Sequence, residues 1–458
     1  MSGDGRGLRP PVPLSHEVPT IPADPAEATG AGAAGSAGAV LTADPAEAAG
    51  RGGVAARVRV VGGVVAGVLG VVGAWRALRP AVEVPLPGPG NLAEERMQDF
   101  RDALYFPIRE FLAGGNPYDP AVMFAHWPVR QNFNLYQPYH LLLHMPFALP
   151  GYRVGAVAFA LASLVLLVVL AVMAAGRVRA PWVLGTVVVA ALLVTSQVGK
   201  AQLYVGQVNP LLAIGAAGAL SARTSHPRWA ALALALAWLK PQFGLPLAVL
   251  LCARGSWRVA LGGTGIAAGA SLVALVPLVA RDGIGGFLEV ISRNLEHASQ
   301  TAYGAVDSMT AQRVDVAAVV FRVTGWLPPA AEVLALVAVL AISAVLVRRL
   351  DRVQDDTGAA DLLTCVAVVV AVVHQPGDVL IAVPAMAAAA VVWWRRRREL
   401  RWLGVAVVAL VVPFAHLHFV DTVIRELGGV RASVTVDGVA VVLAWVALVV
   451  FARSRLRA

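Results

Sequence analysis

Uninterrupted apolar runs, each closed by arginines, set the pattern of this chain. Residues 154–176 and 259–280 contain no charged side chain and have the length of a bilayer-spanning helix, about 20 residues. Further apolar stretches lie at 60–77, 229–253, 361–394, 403–418 and 436–451. The pattern predicts an all-α, polytopic membrane bundle of roughly ten to twelve spans.

Arginine placement orients the bundle. Arg51, Arg57 and Arg59 precede the first run, and Arg348, Arg349 and Arg352, then Arg395 to Arg398, then Arg453, Arg455 and Arg457 close later ones. By the positive-inside rule all four clusters are expected in the cytoplasm, and with them both termini. Residues 361–394 must then cross outward and return, which puts their midpoint, the pentapeptide HQPGD (His374 to Asp378), at the outer face. Two arrangements suit the middle of the chain. In one, 137–150 spans and 229–253 crosses once. In the other, 137–150 lies in the outer interface and 229–253 is a broken hairpin with Lys240-Pro241 at its tip. The second keeps Arg177, Arg179, Arg223 and Arg228 inside, and charge bias favours it.

Composition supports this reading. With 58% hydrophobic and 14% charged residues, and a mean hydropathy of +0.70, the chain carries more apolar surface than a soluble fold can hide. A net charge of +9 would suggest nucleic acid in a soluble protein, but here it is topological. Cys252 and Cys365 both sit inside apolar runs, without the number or spacing of a disulfide framework or a zinc site. Residues 1–56 differ from the rest: they are rich in Ala, Gly, Pro and acidic residues, contain ADPAEA twice, and are expected to form a disordered cytoplasmic tail before a membrane domain at 57–458. The run at 60–77 reads as an uncleaved first span.

An external loop, 80–150, holds the densest polar chemistry: MQDFRDALYF (97–106), GGNPYDP (114–120) and QNFNLYQPYH (131–140). The stagger of Phe100, Leu104, Ile108 and Phe111 predicts helices lying on the membrane, ended by Gly114-Gly115. Asp99, just beyond an outward span, is a candidate general base or a solvated helix cap. Asp102, three residues on, is a second candidate base or a structural partner, and Asp119 closes a turn. Only Lys200 and Lys240 among the 37 basic residues are lysines, so Arg is inferred not to fit at Lys240, deep in an apolar run. Lys240 is assigned to an anionic group. Gln207 and Asn209 are candidate neutral donors, with a helix start as the alternative for Asn209. His374 and Asp378 are expected to face the same groove. No phosphate-binding Gly-rich loop and no carboxylate pair with divalent-metal spacing is seen, so no cofactor is expected.

Asp99-Phe100, Gly115 to Asp119, Tyr136 to Pro138, Gly206 to Asn209, Lys240-Pro241 and His374 to Asp378 together resemble the polyprenol-phosphate-dependent mannosyltransferases of glycosyltransferase family 87. The resemblance implies a GT-C fold. It also implies transfer of mannose, with inversion, from a polyprenyl-phosphate donor to an acceptor hydroxyl of a cell-envelope glycolipid or glycan, outside the membrane. By the same resemblance Tyr118 and Tyr136 join the substrate-binding set. A secondary transporter or flippase, with Lys240, His374 and Asp378 along a translocation path, is the second reading, and a non-catalytic envelope scaffold the third. Polar groups gathered toward one face weigh against transport.

Overall fold

The computed structural model describes residues 45–179, 181–301 and 304–457, with side chains from Val60 onward. The chain divides into residues 1–55 and 56–458, and the account below concerns the second part. The expected tail at 1–56 lies outside the described residues as far as residue 44, and the first helix, α1, covers Pro45–Glu83. Twelve further principal helices follow: α2 (Tyr152–Arg177), α3 (Trp182–Thr195), α4 (Gln197–Val205), α5 (Asn209–Ala222), α6 (Pro227–Ala237), α7 (Pro241–Ala253), α8 (Trp257–Gln300), α9 (Ala331–Arg352), α10 (Ala359–Ala371), α11 (Val383–Arg395), α12 (Arg401–Ala415) and α13 (His418–Arg455). Helices are the only regular elements among the described residues, and the fold is an all-α membrane bundle.

Six stretches are long and apolar enough to cross a bilayer: Val60–Glu83, α2, α8, α9, Pro376–Arg395 and α13. The α3–α4 pair, bent by 66°, makes a seventh if it counts as one span. The remaining apolar segments, α5, α6, α7, α10 and α12, are helices of only 10–17 residues. At 1.5 Å per residue, the 13 residues of α7 and of α10 reach about 20 Å, short of a hydrocarbon core of about 30 Å.

Ion pairs show how these short helices run. Arg223, just past α5, and Arg254, just past α7, both bind Asp351 of α9, at 3.0 and 2.8 Å. The chain therefore leaves this end along α6 and returns along α7, a re-entrant hairpin whose tip is Lys240. Residues 137–150 form two four-residue helices rather than a span. The hairpin of the second arrangement is thus found, and 137–150 is not a single long helix. Arg254 also binds Asp361 at the start of α10 at 2.8 Å, and Arg177 binds that same carboxylate. Asp356, just before α10, pairs with Arg396, just after α11, at 2.8 Å. The α10–α11 hairpin therefore starts and ends at this face too, and carries HQPGD at the opposite one.

In the loop after α1, the staggered residues Phe100, Leu104 and Ile108 are buried against the bundle. They lie on a six-residue π-helical turn, Phe100–Tyr105, that runs into a helix at Phe106–Leu112. Gly114, at φ +82°, ends that helix in the left-handed region, as the sequence predicts. Asp119 caps the next helix, Pro120–His126, by accepting from the Ala121 N–H at 2.9 Å.

Candidate active site

Three helix breaks and one loop meet at the end of the bundle away from the arginine network. The breaks share a device: a polar residue directly before a proline that opens the next helix, in Asn209-Pro210, Lys240-Pro241 and Gln375-Pro376. Proline at the first helical turn costs no hydrogen bond and stops the preceding segment from continuing as helix. Lys240 is accordingly extended, at φ −112° and ψ 113°. The N-termini of α5 and α7, the positive ends of their helix dipoles, converge on the same place.

Asn209 is the hub of this place. It has no exposed surface. Its Nδ2 donates to Gln207 Oε1 at 2.6 Å and to Asp378 Oδ1 at 2.7 Å, while its Oδ1 accepts from Lys240 Nζ at 2.9 Å. The other Asp378 oxygen accepts the Gln375 backbone N–H at 2.9 Å, which closes the HQPGD turn on itself. The Gln207 side chain, with its oxygen occupied, also favours the charged form of Asp99. Lys240 Nζ also lies 5.5 Å from the centre of the Tyr136 ring. Among the described residues Lys240 has no carboxylate within salt-bridge distance, although Asp99 and Asp378 both act on the same pocket. A half-buried ammonium with one of its three donors used is an incomplete site for an anion.

Asp99 immediately precedes the π-helical turn and is half-buried. Burial pushes its carboxyl up to about 6, against the pull of the Lys240 ammonium and the Gln207 hydrogen bond, with Asp102 and Asp378 adding repulsion. A carboxylate titrating there is poised to take a proton near neutral pH.

Two close approaches hold Asp99 in place. Met97 N–H donates to Tyr204 O at 2.7 Å, which ties the loop to the end of α4. Gly206, at φ +79°, lets the α4–α5 turn pass under the loop, where a Cβ would come within 2.7 Å of Phe100 Cβ and 3.2 Å of Phe100 N. Gly206→Ala is expected to add about 1–2 kcal/mol of backbone strain and to displace Asp99. A shift on the order of 1 Å is enough for about a 10²-fold fall in turnover. A thermal melt alongside a transfer assay separates the two effects.

Not every candidate residue reaches the pocket. Asp102 is turned away: its carboxylate pairs with Arg101 at 2.6 Å and accepts the Gln131 N–H at 3.0 Å, so it clamps the loop. Tyr118 is buried, and its hydroxyl donates to Tyr136 O at 3.1 Å, supporting the segment whose ring faces Lys240. His374 lies behind the site rather than on the groove. It is 1% exposed, its Nδ1 bonds Val372 O at 3.0 Å, and its ring stands edge-on to Phe243 at 4.5 Å. That bond makes Nδ1 the protonated nitrogen, so Nε2 is an acceptor and unsuited to an anion.

Three braces around the site are hard to see in the sequence. Gln202 Nε2 donates to Gly377 O at 3.2 Å and anchors the HQPGD turn. Asn134 and Asn294 exchange reciprocal bonds of 2.9 and 2.8 Å, which fix the aromatic segment to α8. Gln137 N–H donates to Leu239 O at 3.0 Å, at the tip of the α6–α7 hairpin. Gln202 alone left a trace in the sequence, as an amide on an otherwise apolar helix face.

A family model described as glycosyltransferase family 87 matches residues 134–376. The match includes Tyr136, Gln207, Asn209, Lys240 and His374, while Asp99, Asp102, Tyr118 and Asp378 fall outside it. No curated protein and no solved structure matches the chain.

Proposed function

Because the chain belongs to glycosyltransferase family 87, and is therefore a membrane glycosyltransferase, we propose that it moves a hexosyl group, mannose by resemblance, from a polyprenyl-phosphate donor to an acceptor hydroxyl of a cell-envelope glycolipid or glycan. The observation that carries this reading is the meeting of Lys240 and Asp99 at one pocket: an ammonium that forms no ion pair among the described residues, and a carboxyl pushed up to about 6 on which it acts. In the reaction, the acceptor hydroxyl oxygen attacks the anomeric carbon as its proton passes to Asp99. The bond from that carbon to the phosphate oxygen breaks, and the lipid phosphate departs with the electron pair. Lys240 and the N-termini of α5 and α7 meet the growing negative charge on the departing phosphate. Attack opposite the leaving group inverts the anomeric centre.

Depth suits a lipid donor. The helices that end at the site are about 20 Å long, so the pocket is recessed below the far membrane surface, where a prenyl chain can remain in lipid while its phosphate reaches Lys240. We place this face outside the cell and both termini in the cytoplasm, since Arg223, Arg254, Arg348, Arg349 and Arg396 all gather at the other end. The transporter reading has less support: α10 is apolar and buried from Leu362 to Ala371 save for Thr364, so no polar path follows its length.

Membranes containing the protein, given labelled polyprenyl-phosphate mannose and an envelope lipid extract, should move label to a new product. Label transferred from a nucleotide-sugar instead would refute the donor assignment.

A further inference from the structure

At the end of the bundle away from Asp99, α9 and α13 flank an open cavity of about 520 Å³ lined by Ala341, Ile342, Val345, Leu346, Arg349, Arg453, Leu456 and Arg457. Its wall on α9 is one helical stripe, in which Ala341, Val345 and Arg349 follow at steps of four and Ile342 and Leu346 run beside them. The stripe is apolar along its length and cationic at its end. Across it, the last turn of α13 contributes Arg453 and the residues after the helix contribute Leu456 and Arg457. Just deeper in the bundle, Trp445 Nε1 donates to Ser343 Oγ at 3.0 Å and holds the two helices together.

The charge here is uncompensated. Arg349, Arg453 and Arg457 are exposed, and none forms an ion pair among the described residues. The nearest candidate carboxylates are engaged elsewhere: Asp351 with Arg223 and Arg254, and Asp355 and Asp356 with Arg455. The apolar part opens sideways, since Val345 is 51% exposed on a helix of spanning length. An occupant must therefore offer hydrocarbon to Ile342, Val345 and Leu346 and an anion to three guanidinium groups. A free phosphate cannot cover the apolar wall, and a neutral lipid leaves the arginines unanswered.

We propose that this cavity binds one anionic phospholipid, with an acyl chain along the Ala341–Val345 stripe and the headgroup phosphate among Arg349, Arg453 and Arg457. Basic pockets between membrane helices hold acidic headgroups through direct phosphate–arginine bonds in addition to the diffuse attraction of the surface. This site is separate from that of the sugar donor and does not depend on how that donor is identified.

Native mass spectrometry of the full-length protein, equilibrated with phosphatidylglycerol and phosphatidylcholine in equal amounts, tests the proposal. The wild type should retain one phosphatidylglycerol. The triple variant Arg349→Gln, Arg453→Gln, Arg457→Gln should lose at least about tenfold in retention, since each lost charged contact weakens binding severalfold. Val345→Trp, which blocks the cavity with all charges in place, should lose it as well. A control, Arg348→Gln, Arg352→Gln, Arg398→Gln, removes equal charge from outside the cavity and should behave as wild type. Melting temperatures taken with each lipid report folding, and phosphatidylglycerol should raise that of the wild type and control only. Equal loss in the control, or retention in the cavity variants, would overturn the site. Displacement of the lipid by inorganic phosphate alone would mean that the arginines serve a free anion, and would overturn it too.

Discussion

Asp99→Asn is expected to give a folded protein whose transfer rate is lower by about 10²–10⁴-fold, the usual cost of a lost general base. The substitution keeps the shape of the side chain and removes the basic carboxylate proposed to take the acceptor's proton. Stability should not suffer. Burial raises the Asp99 carboxyl from 3.8 to about 6, so the folded state holds that proton more tightly than the unfolded one does. The associated stability is fully present below pH 3.8 and is lost as pH rises through about 6. At neutral pH the charged carboxylate is therefore a burden on the fold, which a neutral amide relieves. Activity runs the other way, because a base works only when ionised. The wild-type rate should rise about tenfold per pH unit below about 6 and level off above it. Lys240→Gln should move that limb upward, since the ammonium is what draws the carboxyl down. Residual activity in Asp99→Asn with the same acid limb would assign the limb, and the base, to another group.

The gathering of Gln207, Asn209, Lys240 and Asp378 could be foreseen because each strains its surroundings in the sequence, whereas Asp99, in a polar loop, is marked by the family resemblance. An amide, an ammonium or a carboxylate inside or beside an apolar run is costly unless partnered, and three of the groups sit at proline breaks that hydropathy alone does not explain. Which way a side chain turns at such a break is a different matter. HQPGD continues as a 3-10 helix, Pro376–Ala382, whose rotation puts Asp378 on the pocket, while His374, before the break, is buried against Phe243. Nothing in five letters sets that rotation. Asp102 departs for a similar reason. A spacing of three residues places two side chains on one face of an α-helix, but here Asp99 leads into a π-helical turn, whose wider winding breaks that correspondence and hands Asp102 to Arg101.

Span number was the weakest part of the reading. A hydropathy window scores an apolar segment of 13 residues in a re-entrant arm much as it scores part of a full crossing. The arginines resolved what hydropathy could not: Arg223 and Arg254 bracket the α6–α7 hairpin and end on one carboxylate, Asp351. The braces were invisible because their partners are tertiary. Asn134 pairs with Asn294 across 160 residues, and neither residue stands out from its neighbours.

Replacing Lys240 by Arg is expected to depress transfer almost as far as replacing it by Ala, by about 10²–10³-fold, the scale of losing one donor to developing charge. Both variants test the same cation, but only Arg preserves its charge. Lys240 Nζ is a compact donor held by Asn209 Oδ1 at 2.9 Å below the Tyr136 ring, and Asn209 in turn sets Gln207 and Asp378. A planar guanidinium is wider, directs its N–H groups in a fixed fork, and would press on Tyr136 or pull Asn209 out of its bonds. The loss should fall mainly on turnover, because negative charge on the departing phosphate is greater in the transition state than in the bound donor. Inhibition by polyprenyl phosphate, the proposed product, should weaken more in Lys240→Ala than in Lys240→Arg, which still offers a cation to a bound anion. A lysine that merely extends toward the water would accept arginine without penalty. Full turnover in Lys240→Arg would therefore remove Lys240 from the chemistry.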